Sequence, residues 1–172
     1  MKKKLFFCLL LILIGSITSC QDDLEATNEP IILGSEPVNF YKNKAMFDEA
    51  SRLRSDDYSS PFSIDHIQRT GDTLKVEVSY AKGCEGTFHV IWDGAIMESY
   101  PMQATLFLKF QATGCPNKFI LDETVRKVIT IDLVGFIGDE QLVKETIFHV
   151  ANASSLQGVT CEGNCDETVS NG

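Results

Sequence analysis

Thr73-Leu74-Lys75-Val76-Glu77-Val78-Ser79-Tyr80 is the stretch that decides the fold. Leu74, Val76, Val78 and Tyr80 alternate with Thr73, Lys75, Glu77 and Ser79, a period of two that suits a strand with one buried face. Gly71-Asp72 just before it supplies a turn from a preceding strand near residues 63–68. Downstream the same period recurs. Phe88, Val90 and Trp92 alternate with Thr87, His89 and Ile91, and Asp93-Gly94 then marks a tight turn. Ala104, Leu106, Leu108 and Phe110 form another inward face, opposed by Thr105, Phe107 and Lys109. Ile129, Ile131 and Leu133 follow, and residues 147–150 close the set. Six or seven short strands without interleaved helices predict an all-β domain, an antiparallel β-sandwich or small barrel.

Upstream the period changes to 3.6. Met46, Phe47, Ala50 and Leu53 share one face over residues 44–54, with Asn43 as cap, Asp48 and Glu49 early and Arg52 and Arg54 at the end. One short N-terminal helix is therefore expected to pack on the strands. Residues 20–42 carry Asp22, Asp23, Glu25, Glu29 and Glu36, two prolines and no apolar period, and read as an acidic tether. The domain is expected over residues 43–153, and residues 154–172 as a polar, Cys-containing tail.

The first 19 residues are an address. Met1 to Lys4 are basic, the next ten residues are almost wholly apolar, and Gly15 to Ser19 are mostly small. Ten apolar residues make a helix of roughly 15 Å, too short for a hydrocarbon core of about 30 Å. This pattern predicts a secretory signal peptide over residues 1–19. Ile17-Thr18-Ser19-Cys20 resembles the bacterial lipobox, which implies cleavage before Cys20 and acylation (palmitate among the chains) of that residue. The lipid bilayer is then a partner through Cys20, and three chains would hold the protein there at roughly 0.8 kcal/mol per buried CH₂. Gln21-Asp22-Asp23 resembles the surface-export signal of Bacteroidota lipoproteins. The expected location is the outer membrane, facing outward rather than the periplasm.

Composition bounds the function. The chain is 44% hydrophobic, 23% charged and 9% aromatic, which is ordinary globular protein. Removing the leader with its three lysines leaves 12 basic against 24 acidic residues, a mature charge of −12. Such a balance excludes nucleic acid as a partner, because phosphates need cations.

Four cysteines remain after Cys8 and Cys20, and in an exported chain they predict disulfides with three possible connectivities. Cys84 and Cys115 sit in glycine-marked turns at the ends of neighbouring strands, and Cys161 and Cys165 close a short loop; this pairing is favoured. The competing reading is soft metal ligation by Cys84 with His89 or by the Cys161/Cys165 pair. The spacing misses the usual two-residue gap, so no metal and no cofactor is expected.

The segments 71–80, Gly83-Cys84, Phe88, Met97-Glu98-Ser99-Tyr100-Pro101, the 103–110 strand, Cys115 and the 130–133 strand together resemble a group of uncharacterised β-rich Bacteroidota lipoproteins. The likeness covers about residues 62–134 and implies location and fold, with no activity attached. That group's His after the first Cys and Asp-Cys pair at the second are replaced here by Glu85-Gly86-Thr87 and Gly114-Cys115, so no ligand set carries over.

No catalytic residues are expected. Nucleophile-elbow, Walker, dinucleotide and His-Glu-x-x-His motifs are absent from the sequence. His66, His89 and His149 are widely spaced. Glu98, Asp122, Glu123, Asp132, Asp139 and Glu140 could supply a glycosidase-like pair, but 24 acids make chance pairs common. Asp72-Thr73-Leu74 resembles the Asp-Thr-aliphatic O-glycosylation site of Bacteroidota exported proteins, at Thr73. Tyr100 and Phe107 are the candidates for a ligand-facing aromatic surface, though packing beneath the helix is the preferred place for both. The expected function is a non-catalytic binding or accessory module for a glycan or protein. The alternatives are a structural envelope lipoprotein or an inhibitor presenting the loop at 83–86, then a metal-dependent or carboxylate hydrolase.

Overall fold

The computed structural model describes residues 38–115 and 123–169. The signal peptide, Cys20, residues 20–37 of the expected tether, Asp122 and residues 170–172 lie outside the described residues.

Two sheets face each other. The first has five strands in the order β1 (Val38–Lys42), β4 (Glu85–Trp92), β5 (Met102–Gly114), β7 (Thr146–Asn152) and β8 (Gly158–Cys161). The second has four, in the order β6 (Thr124–Asp132), β3 (Thr73–Ala81), β2 (Phe62–Thr70) and β9 (Asp166–Thr168). The predicted inward faces are the observed ones. Leu74, Val76 and Val78 of β3 meet Phe88, Val90, Trp92, Leu106, Leu108 and Phe110 of β4 and β5 in one core, with Ile129 and Ile131 of β6. The β2–β3 turn is the predicted one: Thr70 pairs with Thr73, and Gly71 has φ of +58°. The fold class is the expected all-β sandwich, and the sheets do not close into a barrel.

The outer face of the first sheet is covered by α1 (Lys44–Leu53), whose cap Asn43 accepts from the Met46 N–H at 3.0 Å as expected. Met46, Phe47 and Ala50 pack on Ile91, Phe107, Ala151 and Ala153. Leu53, predicted to share that face, is exposed instead.

Four expectations need correction. The tether ends earlier than residue 42, because Val38 and Phe40 alternate into the core and Val38–Lys42 pairs with β4. The expected tail at 154–172 does not leave the body over its described residues, 154–169. Its residues 158–161 and 166–168 add a strand to each sheet, and Cys161 is fully buried. The sheets are not purely antiparallel, since β1 runs parallel to β4 and β5 parallel to β7. The described residues hold nine strands rather than six or seven, and two further short helices, α2 (Leu133–Ile137) and α3 (Glu140–Glu145). Asp132 and Asp139 cap these through their side chains, at 3.0 Å from Gly135 N and Leu142 N. Leu133, expected in a strand, begins α2 and is buried as expected.

At the α2 end the core is closed by Phe136, edge-on to Trp92 and Phe40. Among the described residues, the other end of the sandwich, near the β3–β4 turn, is left open by a cleft.

Candidate binding cleft

Cys84 and Cys115 form a disulfide, and so do Cys161 and Cys165, which is the favoured pairing. The first joins the β3–β4 turn to the end of β5. Beside it a bulge at Glu85 and Gly86 brings β4 close to β5. A Cβ on Gly86 would lie 2.4 Å from the Gln111 carbonyl oxygen and 2.8 Å from the Phe110 ring, so only glycine lets the strands approach here.

This approach borders a cleft of about 510 Å³ at the open end. Its apolar side comprises Phe62, Tyr80 and Phe110, and the disulfide forms one lip. The rings are braced from below. Phe110 stacks on Phe88 at 4.6 Å between centroids, Tyr80 leans on Phe110 at 4.8 Å, and Phe62 meets Phe88 edge-on at 5.3 Å. Tyr80 is half-buried, while Phe62 and Phe110 are buried.

The polar rim is held by backbone bonds. Ser60 N–H donates to the Phe110 carbonyl at 2.9 Å, and its hydroxyl accepts from Ala112 N at 3.2 Å. Ser59 Oγ accepts from Phe110 N at 3.0 Å. These bonds lay the segment after α1 along β5 and bring Asp56 and Ser60 to the rim. On the other side Lys82 N–H donates to the Glu123 carbonyl at 2.9 Å, and the Lys82 ammonium sits 2.6 Å from the Glu123 carboxylate. Glu123 is thereby paired, which leaves Asp56 as the unbalanced charge among the described residues lining the cleft. A concave site with braced aromatics and a few polar groups suits a small, hydroxyl-rich ligand.

The residues singled out from the sequence do not gather there. Tyr100 is fully exposed in the loop between β4 and β5, at the opposite end of β5 from Cys115. Phe107 is not ligand-facing. It is 4% exposed, edge-on to Phe47 of α1 at 5.0 Å, because α1 covers the outward side of β5. Thr73 is half-buried at the start of β3, also away from the cleft. Among the described residues, Glu123 alone of the proposed carboxylates lines the cleft; Asp132 and Asp139 are helix caps.

The three histidines are separate. His66 sits 2.9 Å from Asp166, and His149 bridges Thr160 at 2.8 Å and Gln103 at 3.0 Å. His89 lies on the outer face of the first sheet, buried against Tyr41 at 5.5 Å, with neither ring nitrogen hydrogen-bonded. Burial holds its pKa below the usual histidine value. The Gln111 amide pulls the other way from outside bonding geometry, and the Lys109 charge adds to the depression. Nearby, burial and then the charge of Glu49 push the Tyr58 phenol up to about 12. Among the described residues no group of three or more His, Cys, Asp or Glu could hold a metal ion.

Tyr80, Asp56 and Ser60 were missed by sequence reasoning. Alternation marks Tyr80 as inward but does not say that the sandwich stops beside it. The available signal is the Ser59-Ser60-Pro61 run entering β2 opposite the Gly83-Cys84 turn.

The fold and site together define a two-sheet β-sandwich with an aromatic cleft at one end. Comparison with known families, curated proteins and solved structures finds no match to the chain.

Proposed function

We propose that the chain is a lipid-anchored protein of the bacterial outer membrane, held by acylated Cys20 and facing outward, that binds a glycan non-catalytically in the end cleft. The cleft is the observation that carries this reading. A ring of carbohydrate size stacks on the exposed side of Tyr80, and hydroxyls of the ligand meet Ser60, Asp56 and nearby backbone groups. Sugar recognition needs this combination of an apolar ring face and convergent polar edges. The charge balance supports a neutral or hydroxyl-rich ligand, because among the described residues lining the cleft an anion would face Asp56 without a cation of its own. The leader, the small residues before Cys20 and the disulfides support export, since bridges persist in oxidising compartments.

The test is titration of the mature chain against a glycan panel, with Tyr80→Leu and Asp56→Ala as variants. Saturable binding that falls at least about tenfold in Tyr80→Leu, with an unchanged unfolding midpoint for Asp56→Ala, supports the reading. No saturable ligand, or binding indifferent to both variants, removes it. Loss of membrane association in Cys20→Ala, and protease accessibility on intact cells, test anchoring and orientation separately.

A further inference from the structure

A sheet ends in two strands whose outer backbone groups have no neighbour, and proteins usually keep such strands short or blocked. Three of the four edges here follow that habit: β1 has five residues, β8 has four and β9 has three. The fourth, β6, has nine and pairs with β3 without any register shift. It contains no proline and no glycine. Among the described residues no backbone hydrogen bond outside the sheet ladder reaches residues 124–132. Val128 is 49% exposed and Val125 is 36% exposed along it.

We propose that β6 is a self-association edge, pairing antiparallel with β6 of a second copy about a two-fold axis at Ile129. The two four-stranded sheets then become one sheet of eight. Charge selects the partner and the register. For two copies to keep their core faces on the same side, the axis must pass through a residue of β6. Centred on Lys127, the ladder would set Lys127 directly against Lys127 of the second copy, and like charges opposite each other destabilise a sheet. Centred on Val128, Lys127 is still diagonal to its own copy. Centred on Ile129, Arg126 stands opposite Asp132 of the second copy, twice by symmetry. Val128 then faces Thr130, and Lys127 faces Ile131, so no like charges meet.

Arg126 is already held on this side of the sheet, 3.5 Å from Glu77 and 4.0 Å from Asp65. Seven residues per copy make a contact smaller than the roughly 800 Å² per partner of stable complexes, so the dissociation constant is expected on the order of micromolar.

The experiment uses the mature chain with Cys20→Ser, kept unacylated. Sedimentation equilibrium and amide hydrogen exchange are run from low micromolar to near-millimolar protein. A reversible dimer is expected, with β6 amides gaining protection as concentration rises. Arg126→Asp alone and Asp132→Arg alone should each weaken it by about tenfold, and the double swap should restore it to within about threefold. Asp132→Arg also removes the cap of α2, so the exchange measurement on the unsubstituted strand carries the test if that variant is unstable. A chain that stays monomeric with unprotected β6 amides overturns the proposal. So does a dimer whose β6 protection does not follow concentration, or a double swap that fails to restore pairing between folded variants. Protection that appears only when envelope extract is added assigns the edge to a different chain and also overturns it.

Discussion

Replacing Arg69 tests how far the fold depends on a single buried cation. Arg69 lies on β2, 4% exposed, with its guanidinium 5.0 Å from the Phe148 ring centre. Nε donates to the Gly71 carbonyl at 3.0 Å, Nη1 to the Thr146 carbonyl at 2.9 Å and Nη2 to the Val143 carbonyl at 2.6 Å. The last two lie at the C-terminal end of α3, where few helical N–H groups remain to serve the carbonyls. Burial pushes the Arg69 pKa down, with Asp72 opposing. A hydrogen bond from a charged donor contributes about 1.5–3 kcal/mol, and orphaning a buried carbonyl costs about 1–3 kcal/mol. Val143 O retains the Thr146 N–H and Gly71 is exposed to water, so Arg69→Met orphans one buried carbonyl, that of Thr146. Arg69→Met should lose about 1–3 kcal/mol, and Arg69→Ala about 1–2 kcal/mol more through the cavity. The assay is urea unfolding with both disulfides intact, comparing midpoints at constant slope. An Arg69→Met variant within about 0.5 kcal/mol of the parent would refute the reasoning, because apolar packing would then replace the cation at no loss, as some buried ion groups allow.

Gly86→Ala should destabilise by about 2 kcal/mol or more, read by thermal unfolding, since its Cβ would meet the Gln111 oxygen at 2.4 Å. Stability should fall as pH drops below about 6.5, because the depressed His89 takes up its proton in the unfolded chain before the folded one. Above that pH the contribution is complete, and His89→Leu should flatten this part of the pH–stability curve. The chain-entropy relation gives about 3.7 kcal/mol for the Cys84–Cys115 bridge, which spans 31 residues, and about 1.9 kcal/mol for Cys161–Cys165, which spans four. Paired serine variants should differ in that order in denaturant midpoint. Asn43→Ala should cost about 1 kcal/mol by the same measurement through the lost cap of α1.

The central strands were legible because each alternates over several residues and ends in glycine or aspartate chemistry. Leu74, Val76 and Val78, the Gly71 turn and the Asn43 cap all follow from local rules. The two bridges agreed with the turn glycines around Cys84 and Cys115. β1 escaped notice because only Val38 and Phe40 alternate, directly behind Pro37. β8 and β9 are too short to carry a period; their pairing with β7 and β2 is set by neighbours distant in sequence. Parallel pairing is equally invisible locally, because β5 and β7 are joined through β6, α2 and α3. Arg69 follows the inward parity of β2, yet an Arg at such a position reads as a solvent edge until the α3 carbonyls are placed beside it. Phe107 shows the converse. An outward aromatic looks like a binding surface until α1 covers it.

The geometry also bears on how the proposed anchor and the cleft work together. β1 runs parallel to β4, and its first residue, Val38, is level with Phe88 rather than Trp92. The chain therefore enters the sheet nearer the end that carries Cys84 and the cleft. Under the proposed anchoring, residues 20–37 link that end to the lipid. Under that proposal Tyr80 lies at the end of the sandwich nearer the attachment, and the exposed Tyr100 loop at the opposite end. Ligands held near the membrane surface are then favoured over free ones, because tethering converts their capture into an encounter at high effective concentration. With the anchor proposed at Cys20, the polarity of β1 would divide the molecule into a binding end near the surface and a far end that meets the medium.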